Sequence, residues 1–482
     1  AIVIVLANPQ LTKVEPAFVE KWTGAKYILR RIPDDLIRKL EHASIHPAID
    51  FPPPNPFLEC ALTEKKDLSD LPGDFETIEE SDRADIVFLH DPYPDSAQFS
   101  AFLHVRASLA DGHPKNELLL EIYSKLFKER FSSFAFFADQ VGLNWMFSPT
   151  DTGFLLMIEA PPTQGPALLT ELFQALKTPL LSKEKFERYK AGLIDHLCAP
   201  LDSLSVVQEV LKEHIDPAFF SRRDKNSILE RVSYADFTQF SHHFLDKLYL
   251  EGFFVSSLSK DEISSLVETL RAVLAAEPYP EEEWPEEEEM QLEKTGFSVI
   301  ETKGDLQGNA VLLILDQGPS SCEKSAAKSV LSKVLEDAFF DSLRTKQQTA
   351  YTTRVWDGKI GENLVQYFAA LSSTYLPEDL LKRFLLFLED YRQNLRDYIP
   401  ASRFERIRTS QMSFDEDAYE RFKKRFAEAK GRGASFDEDE DLLGEEDCLE
   451  SLTYEEFLDI AAGLIAKKSE RLAILVEGGC RF

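Results

Sequence analysis

The chain has 482 residues, of which 44% are hydrophobic and 29% are charged, and its formal net charge at neutral pH is −30. This length can bury the cores of two to four domains. Such an acidic chain is poorly suited to nucleic acid or an anionic membrane as its main partner. It also lacks any run of 18 uncharged apolar residues, so we expect no transmembrane helix.

The cysteines and histidines indicate no metal chemistry in this chain. The five cysteines are scattered and form no CxxC pair, so we predict free thiols, a pattern that favours the cytoplasm over the periplasm. All nine histidines lie at or before His243, and neither HExxH nor HxxEH occurs. The sequence therefore predicts no zinc ligand set and no other cofactor site. We interpret His90, His104 and the adjacent His242 and His243 as structural residues.

The first 60 residues are predicted to be the end of one domain and a connector. The chain opens on the apolar run 1–7, which is typical of a buried strand. A short helix is expected over residues 33–42. The proline-rich stretch 52–56 then favours extended backbone, as in a semi-rigid linker.

Residues 61–277 are predicted to form a first α+β domain. The long helical pattern over residues 116–141 has one apolar face and is followed by Gly142, a typical helix terminator. The other predicted elements are strands at 85–90, 99–105, 143–147, 154–158 and 249–256, helices near 164–177, 182–197 and 233–246, and a terminal helix that ends near residue 276.

Residues 278–293 hold a cluster of glutamates and prolines that cannot bury a core, so we predict a solvated linker. Residues 294–482 then repeat the order of the first domain. The predicted elements are strands at 297–301, 310–315, 350–356, 364–371 and 472–476, a helix over 327–339, helices near 377–397, 400–413 and 415–430, and a helix that begins at Tyr454 after the acidic loop 437–447.

Two short sequence echoes support an internal repeat. Phe186-Glu187-Arg188 returns as Phe404-Glu405-Arg406, and Ser233-Tyr234-Ala235-Asp236-Phe237 returns as Thr453-Tyr454-Glu455-Glu456-Phe457 at nearly the same offset. Strand pairs alternate with helical blocks in each copy. The predicted fold class is therefore α+β, with two homologous domains that each have a mostly antiparallel sheet and helices packed on one face.

Three segments resemble one known family. Residues 343–351, Leu-Arg-Thr-Lys-Gln-Gln-Thr-Ala-Tyr, follow a predicted helix and precede a strand. They resemble the Leu-Arg-Thr-Lys-Glu-Gln-Leu-Gly-Tyr motif of the insulinase/pitrilysin family of zinc metallopeptidases, the inverzincins. Residues 134–145 are similar to the family's aromatic-Ala-aromatic-x-Ala-x-x-x-Gly-Leu-x-aromatic stretch. Asn55-Pro56-Phe57 resembles the Asn-x-Phe that follows the family's connector. The segments occur in family order, so the resemblance spans essentially the whole chain.

The resemblance implies four homologous α+β domains in two halves that enclose a chamber. The zinc site, HxxEH plus a distant Glu, would lie in the first domain, which this sequence does not contain. The chain would hold the end of domain two, the connector, and domains three and four. Its partners would be the N-terminal catalytic half of the same polypeptide and peptide substrates. Zinc would be required by the full-length enzyme, and this chain alone would be inactive.

The family's arginine and tyrosine correspond to Arg344 and Tyr351, for which the resemblance implies contact with the substrate. A neutral phenol can donate a hydrogen bond to an oxyanion, and a guanidinium can hold a carbonyl or carboxylate with two parallel bonds. Without the family, a helix-terminal arginine and an ordinary strand tyrosine are the simpler interpretation. Three neighbours differ from the motif: Gln347 replaces Glu, Thr349 replaces Leu, and Ala350 replaces a glycine that would allow close backbone approach.

Two other interpretations stay open. The altered neighbours favour a non-catalytic scaffold or partner subunit of the same family. An unrelated α+β binding protein would require the order of the motifs to be a coincidence. An HxxEH motif upstream of Ala1 would indicate the peptidase. The glutamate-rich runs are interpreted as solvated loops, with a preference for basic peptides as a minor alternative.

Overall fold

The computed structural model describes ten stretches of the chain: residues 17–44, 54–55, 76–91, 99–141, 143–178, 182–285, 290–292, 296–412, 445–466 and 470–479. The chain divides into two compact units, residues 1–56 and 57–482. The predicted strand over 1–7, the terminator Gly142 and the predicted helix over 415–430 lie outside the described residues.

The described part of the first unit is a short ribbon and one helix. Strands β1 (Phe18–Val19) and β2 (Lys26–Tyr27) pair in an antiparallel manner, and the rings of their end residues stack with centroids 5.5 Å apart. Helix α1 (Asp34–Glu41) follows Pro33, in agreement with the predicted helix. The large apolar side chains that this unit exposes are Phe18, Val19, Trp22, Tyr27, Ile28, Leu29, Leu36 and Leu40.

The second unit begins with a sheet, sheet 1, whose strands run in the order β3-β4-β8-β5-β7-β6, with a short β9 beside β8. The pairings β4–β8 and β8–β9 are parallel and all the others are antiparallel, as the sequence predicted for most of the sheet. The strands are β3 (Glu76–Glu80), β4 (Ala84–His90), β5 (Phe99–Ala107), β6 (Asn144–Thr150), β7 (Gly153–Ala160), β8 (Lys247–Ser256) and β9 (Glu277–Pro278).

Helices cover one face of sheet 1 and bury a phenylalanine-rich core. The ring of Phe127 lies 4.6 Å from that of Phe147, which in turn lies 5.0 Å from that of Phe154. The helices of this part of the chain are α2 (Pro114–Gln140), α3 (Gly165–Lys177), α4 (Lys183–Cys198), α5 (Ser203–Ile215), α6 (Arg222–Arg231), α7 (Tyr234–His243) and α8 (Lys260–Leu274). Helices α5 and α6 were not predicted.

Sheet 2 repeats the topology of sheet 1. Its order is β10-β14-β11-β13-β12, which matches β4-β8-β5-β7-β6 strand for strand. The parallel pair, β10–β14, also stands where β4–β8 stands in sheet 1. The internal repeat predicted from the sequence thus has a structural counterpart. The strands are β10 (Phe297–Gln307), β11 (Asn309–Pro319), β12 (Thr352–Ile360), β13 (Asn363–Ser372) and β14 (Arg471–Gly479).

Helix α9 is the most deeply buried helix of the second repeat. Its residues Val330, Leu331 and Val334 are fully buried in the core that it shares with one face of sheet 2. None of the helices in the described ranges is both long enough and apolar enough to cross a membrane. The helices are α9 (Cys322–Phe340), which continues into a π-helical turn (Asp341–Lys346), α10 (Pro377–Gln393), α11 (Leu395–Tyr398), α12 (Ala401–Met412), α13 (Glu445–Ser451) and α14 (Tyr454–Leu464).

In each repeat, the two segments that recur in the sequence contact each other. The Phe186 ring packs against that of Phe237 with centroids 5.3 Å apart, and the Phe404 ring packs against that of Phe457 with centroids 4.9 Å apart. All four side chains are fully buried. The echoes therefore record one helix-to-helix contact that occurs twice.

The second echo also conserves a helix cap between the two repeats. The Ser233 hydroxyl accepts the backbone N–H of Asp236, whose carboxylate accepts the N–H of Ser233, and Thr453 and Glu456 form the same reciprocal pair. Hydrogen bonds from the Thr453 hydroxyl and backbone N–H lower the pKa of the Glu456 carboxyl from its ordinary value. This cap therefore adds stability above the ordinary pKa, and the contribution is lost as the pH falls through the lowered value.

Helix α5 belongs to the first repeat by sequence but packs on sheet 2. Its buried residues Val207, Leu211 and Ile215 share a core with the face of sheet 2 that points away from α9. The Ser203 hydroxyl at its start donates a 2.6 Å hydrogen bond to the carbonyl of Gly308. Sheet 2 is thus covered by its own helices on one face and by α5 on the other.

The start of the predicted linker packs on sheet 1. Tyr279 is buried, and the Trp284 ring lies 5.3 Å from the Tyr249 ring and 4.3 Å from the Arg106 guanidinium. The glutamates of residues 281–283 are exposed, as expected of a solvated segment. The domain boundaries proposed from the sequence remain predictions.

The prediction of free thiols was wrong for two cysteines. Cys322, at the start of α9, is bonded to Cys448 in α13, 126 residues further along the chain. Cys198 is free and exposed. Spacing could not reveal the pair, because folding brings the two helices together. The thiol argument for the cytoplasm loses its basis.

We predict that Phe186→Ala and Phe404→Ala will each lower the free energy of unfolding by about 3–5 kcal/mol, since each removes a fully buried ring at an equivalent contact. Denaturant titration followed by circular dichroism measures this change. The exposed Phe220 provides the matched control, Phe220→Ala, which should cost far less. Equal effects in the three variants would contradict the equivalence of the two contacts.

We expect at most three reactive thiols per chain in denaturant without reductant, because two of the five cysteines are bonded to each other. A thiol-specific reagent counts them before and after reduction. Cys322→Ser and Cys448→Ser should each lower the free energy of unfolding by about 2–4 kcal/mol. A count of five before reduction would show that the bond does not form in solution.

Candidate functional site

The candidate site is the turn that joins α9 to β12. The α-helix widens into a π-helical turn at residues 341–346, a local geometry often found at functional sites. Leu343 is fully buried and anchors this turn. Its carbonyl accepts the backbone N–H of Thr349 at 2.9 Å and the Thr349 hydroxyl at 3.1 Å. These two bonds close the turn and direct the chain into the next strand.

The backbone of the turn explains how alanine fits at position 350. Gln348 carries the left-handed conformation, with φ of 52°. Ala350 is not among the described non-glycine residues with positive φ, and it is buried. This position therefore does not need glycine's freedom of conformation. Thr349 is also buried, where its hydroxyl is used inside the turn rather than offered to a ligand.

Arg344 and Tyr351 come together at the end of this turn. The Arg344 guanidinium lies 4.9 Å from the Phe340 ring and 4.6 Å from the Tyr351 ring, so two aromatic faces hold it. It makes no hydrogen bond or ion pair with any of the described residues, which leaves its five N–H donors available. Tyr351 is 79% exposed. The structure thus brings both predicted residues together at the surface, while their role stays a prediction.

A second arginine approaches the same turn from α10. Nη1 of Arg383 donates a 2.6 Å hydrogen bond to Oε1 of Gln347, and the amide nitrogen of Gln347 donates to the Ser342 hydroxyl at 3.1 Å. The Arg383 guanidinium also lies 4.9 Å from the Tyr375 ring. Sequence reasoning missed Arg383 because it belongs to the next helix and to no motif.

Ser372, at the end of β13, holds the turn through hydrogen bonds. The Ser372 hydroxyl donates a 2.6 Å hydrogen bond to the carbonyl of Thr349 and accepts the backbone N–H groups of Thr374 and Tyr375 at 3.3 and 3.1 Å. Ser372 and Thr349 are both about 2% exposed. One buried hydroxyl therefore connects the turn to the loop that leads into α10.

A separate charged cluster lies inside sheet 1. His104 and Glu251 stand opposite each other on β5 and β8, with Nδ1 and Oε2 3.5 Å apart, and Arg106 lies 3.4 Å from the same carboxylate oxygen. All three residues are buried. Sequence reasoning could not identify the carboxylate partner, because strand pairing joins positions far apart in the chain. The cluster is consistent with the predicted structural role of His104.

No metal site is formed by the part of the chain that the structure describes, since it contains no group of three or more His, Cys, Asp or Glu side chains able to hold an ion. At the end of α7, Nδ1 of His243 lies 2.7 Å from Oδ2 of Asp246. The described residues therefore do not fit a zinc ion. No chemical step in this chain is assigned to a metal.

Two family models match the sequence. One is the middle or third domain of peptidase M16, over residues 1–205, and the other is the C-terminal lobe domain 4 of PQQ synthase PqqF-like proteins, over residues 330–429. The second match contains the turn with Arg344 and Tyr351.

The chain is also similar to individual proteins. Insulin-degrading enzyme of Mus musculus is 21% identical over 392 residues, which cover 77% of this chain and 37% of the enzyme. The crystal structure of pitrilysin has a TM-score of 0.71 at 16% identity and covers 90% of this chain and 46% of that chain. The peptidase M16 inactive domain from Pseudomonas fluorescens has a TM-score of 0.60 at 12% identity and covers 84% of this chain and 98% of that chain. The chain thus spans less than half the length of the first two proteins.

We predict that Ser372→Ala will lower the free energy of unfolding by about 1–3 kcal/mol, because it leaves the buried Thr349 carbonyl without a donor. Chemical denaturation measures the loss. The control Ser320→Ala removes a half-buried hydroxyl whose side-chain hydrogen bond, within the described ranges, is to the Ser325 hydroxyl, and it should have little effect. A Ser372→Ala protein as stable as the control would show that the bond does not hold the turn.

Proposed function

Since the chain belongs to the insulinase (M16) family of peptidases and corresponds to their C-terminal half, we propose that it forms the non-catalytic wall of a peptide-hydrolysing chamber. In this proposal, zinc and the general base come from an N-terminal half of the same polypeptide. This chain binds the peptide and contributes contacts to the reacting bond through Arg344 and Tyr351.

The observation that carries the proposal is the state of Arg344. An exposed arginine usually pairs with a nearby carboxylate or points into solvent. Here the guanidinium is held between two aromatic rings, while its donors stay unused by the described residues. A side chain fixed in this way loses little conformational freedom when a ligand binds, so more of the interaction energy appears as affinity. Peptide carbonyls and carboxylates are the acceptors that match such donors.

Tyr351 has a chemically distinct role in the proposal. Its ring holds Arg344, and the exposure of the residue leaves the hydroxyl accessible. A neutral phenol placed beside the reacting carbonyl donates a hydrogen bond to the oxygen as negative charge develops on it. The bond strengthens in the transition state, so its effect falls mainly on kcat rather than on substrate binding.

Exposed apolar side chains support a larger assembly around this chain. In the described part of the first unit, eight large apolar residues are exposed within a stretch of 28 residues, among them Trp22, Leu29 and Leu40. So many exposed large apolar side chains in one short stretch are typical of an interaction site. In our proposal these residues pack against the N-terminal half of the polypeptide.

A second candidate is a non-catalytic scaffold or partner subunit of the same family. The replacements at Gln347, Thr349 and Ala350 favour it. So does the fold likeness to a structure that is described as an inactive M16 domain. In this case the wall binds a partner or a peptide without hydrolysis.

We predict that Tyr351→Phe in the complete polypeptide will lower kcat/KM for peptide cleavage by about 100- to 1,000-fold, the usual loss when an oxyanion donor is removed. The phenyl ring still holds Arg344, so the variant isolates the hydroxyl. Arg344→Ala should raise KM as well, because it also removes the substrate contact. Cleavage of a quenched fluorescent peptide measures both constants.

The control is Arg396→Ala, which removes an exposed arginine already paired with Glu455. Its kinetics should match the wild type. Wild-type turnover in both Arg344→Ala and Tyr351→Phe would overturn the assigned roles. Zinc-loaded wild-type protein that binds peptide but does not cleave it would favour the scaffold.

A further inference from the structure

Arg383 is a cation with only neutral partners. Its guanidinium donates to the Gln347 amide oxygen and lies over the Tyr375 ring. Among the described residues it has no carboxylate within ion-pairing distance. An amide oxygen orients a guanidinium but does not neutralise it, so the full positive charge stays at this half-exposed position.

The nearby carboxylates are already engaged with lysines. Asp341, in the turn, lies 2.7 Å from the Lys346 ammonium, and Asp379, one turn before Arg383 on α10, lies 3.4 Å from the Lys382 ammonium. These pairs cancel in charge. Considering only the residues that the structure describes, Arg344 and Arg383 are cations of this turn and of the adjoining helix without a carboxylate partner.

Gln347 ties Arg383 to the turn that also carries Arg344. Gln347 follows Arg344 by three residues in the turn and holds Arg383 through its side chain. Each guanidinium also rests on an aromatic ring, which limits its motion. The turn that carries Arg344 therefore also holds a second fixed cation. The chain as a whole carries a charge of −30, so this local positive surface runs against the general field.

We propose that Arg383 selects peptides that carry a carboxylate near the residue bound by Arg344, with Gln347 as the residue that positions its guanidinium. The carboxylate belongs either to an aspartate or glutamate side chain or to the C-terminus of the peptide. This inference rests on the proposed function and adds a substrate class to it. The neutrality of Gln347 is essential, since a glutamate there would occupy Arg383 itself.

The test measures binding of three fluorescein-labelled peptides to the full 482-residue chain by fluorescence anisotropy at low ionic strength. All are the same unstructured twelve-residue sequence. One ends in an amide, one ends in a free carboxylate, and one has the amide together with a central Asn replaced by Asp. We expect the wild type to bind at least one carboxylate peptide about fivefold more tightly than the neutral one, the range of a partly exposed ion pair. Added salt should reduce the preference.

Two independent variants examine the residues involved. Arg383→Gln and Gln347→Glu should both abolish the preference for the carboxylate peptides over the neutral peptide. The first removes the cation, and the second neutralises it in place. Arg396→Gln, which removes an arginine paired with Glu455, is the matched control and should keep the preference.

The outcomes separate this inference from the function on which it rests. A preference only for the Asp peptide assigns the site to an internal acidic residue, and a preference only for the free carboxylate assigns it to a C-terminus. Equal binding of all three peptides by the wild type overturns the role of Arg383 and leaves peptide binding intact. A preference that survives in both variants also overturns it. Failure of the wild type to bind any peptide overturns the proposed function together with the inference.

Discussion

The burial of Leu343 is the constraint on which the site depends. Its side chain is fully enclosed, and its carbonyl accepts two hydrogen bonds from Thr349, so the chain can leave α9 in one direction only. Arg344, the next residue, is consequently placed at the surface and between two rings. The same turn directs Gln347 toward α10. A buried leucine, rather than any charged residue, thus sets the geometry of the two half-exposed cations.

The internal repeat accounts for the sheet and helices around the candidate site, but the site itself occurs in one repeat. Sheets 1 and 2 share their strand order. The helix that follows β5 in the first repeat is α2, and the helix that follows β11 in the second repeat is α9. An equivalent aromatic contact joins two helices in each repeat: Phe186 packs against Phe237 in the first, and Phe404 packs against Phe457 in the second. In the first repeat, however, the charged cluster of His104, Arg106 and Glu251 lies within the sheet and is buried. The half-buried Arg344, held by two rings, belongs to the second.

Hydrophobic periodicity over short stretches of sequence predicted most helices and strands. Contacts between residues that are far apart in the sequence could not be predicted. Alternating strand pairs, the long amphipathic helices and the repeat all follow from short-range periodicity, which survives in a single sequence. The bond between Cys322 and Cys448 and the contact between Gln347 and Arg383 depend on which helices become neighbours, and periodicity does not encode that choice. Arg344 and Tyr351 were identifiable only because a motif fixed their order. The left-handed backbone at Gln348 had no such signal, since glutamine seldom adopts it.

Helix α5 makes the acidic linker a misleading place to divide the molecule. The helix precedes the linker in sequence, yet Val207 and Leu211 fill the outer face of sheet 2. Cleavage at the linker and separation of the two parts would remove α5 from sheet 2. Buried aliphatic side chains of the sheet, including Leu312 and Ile314, would then be exposed to water. Each repeat is therefore an incomplete folding module by itself. Because α5 joins the core of sheet 2, loosening of this helix in the first repeat would also weaken the sheet that precedes and follows Arg344 in the second repeat.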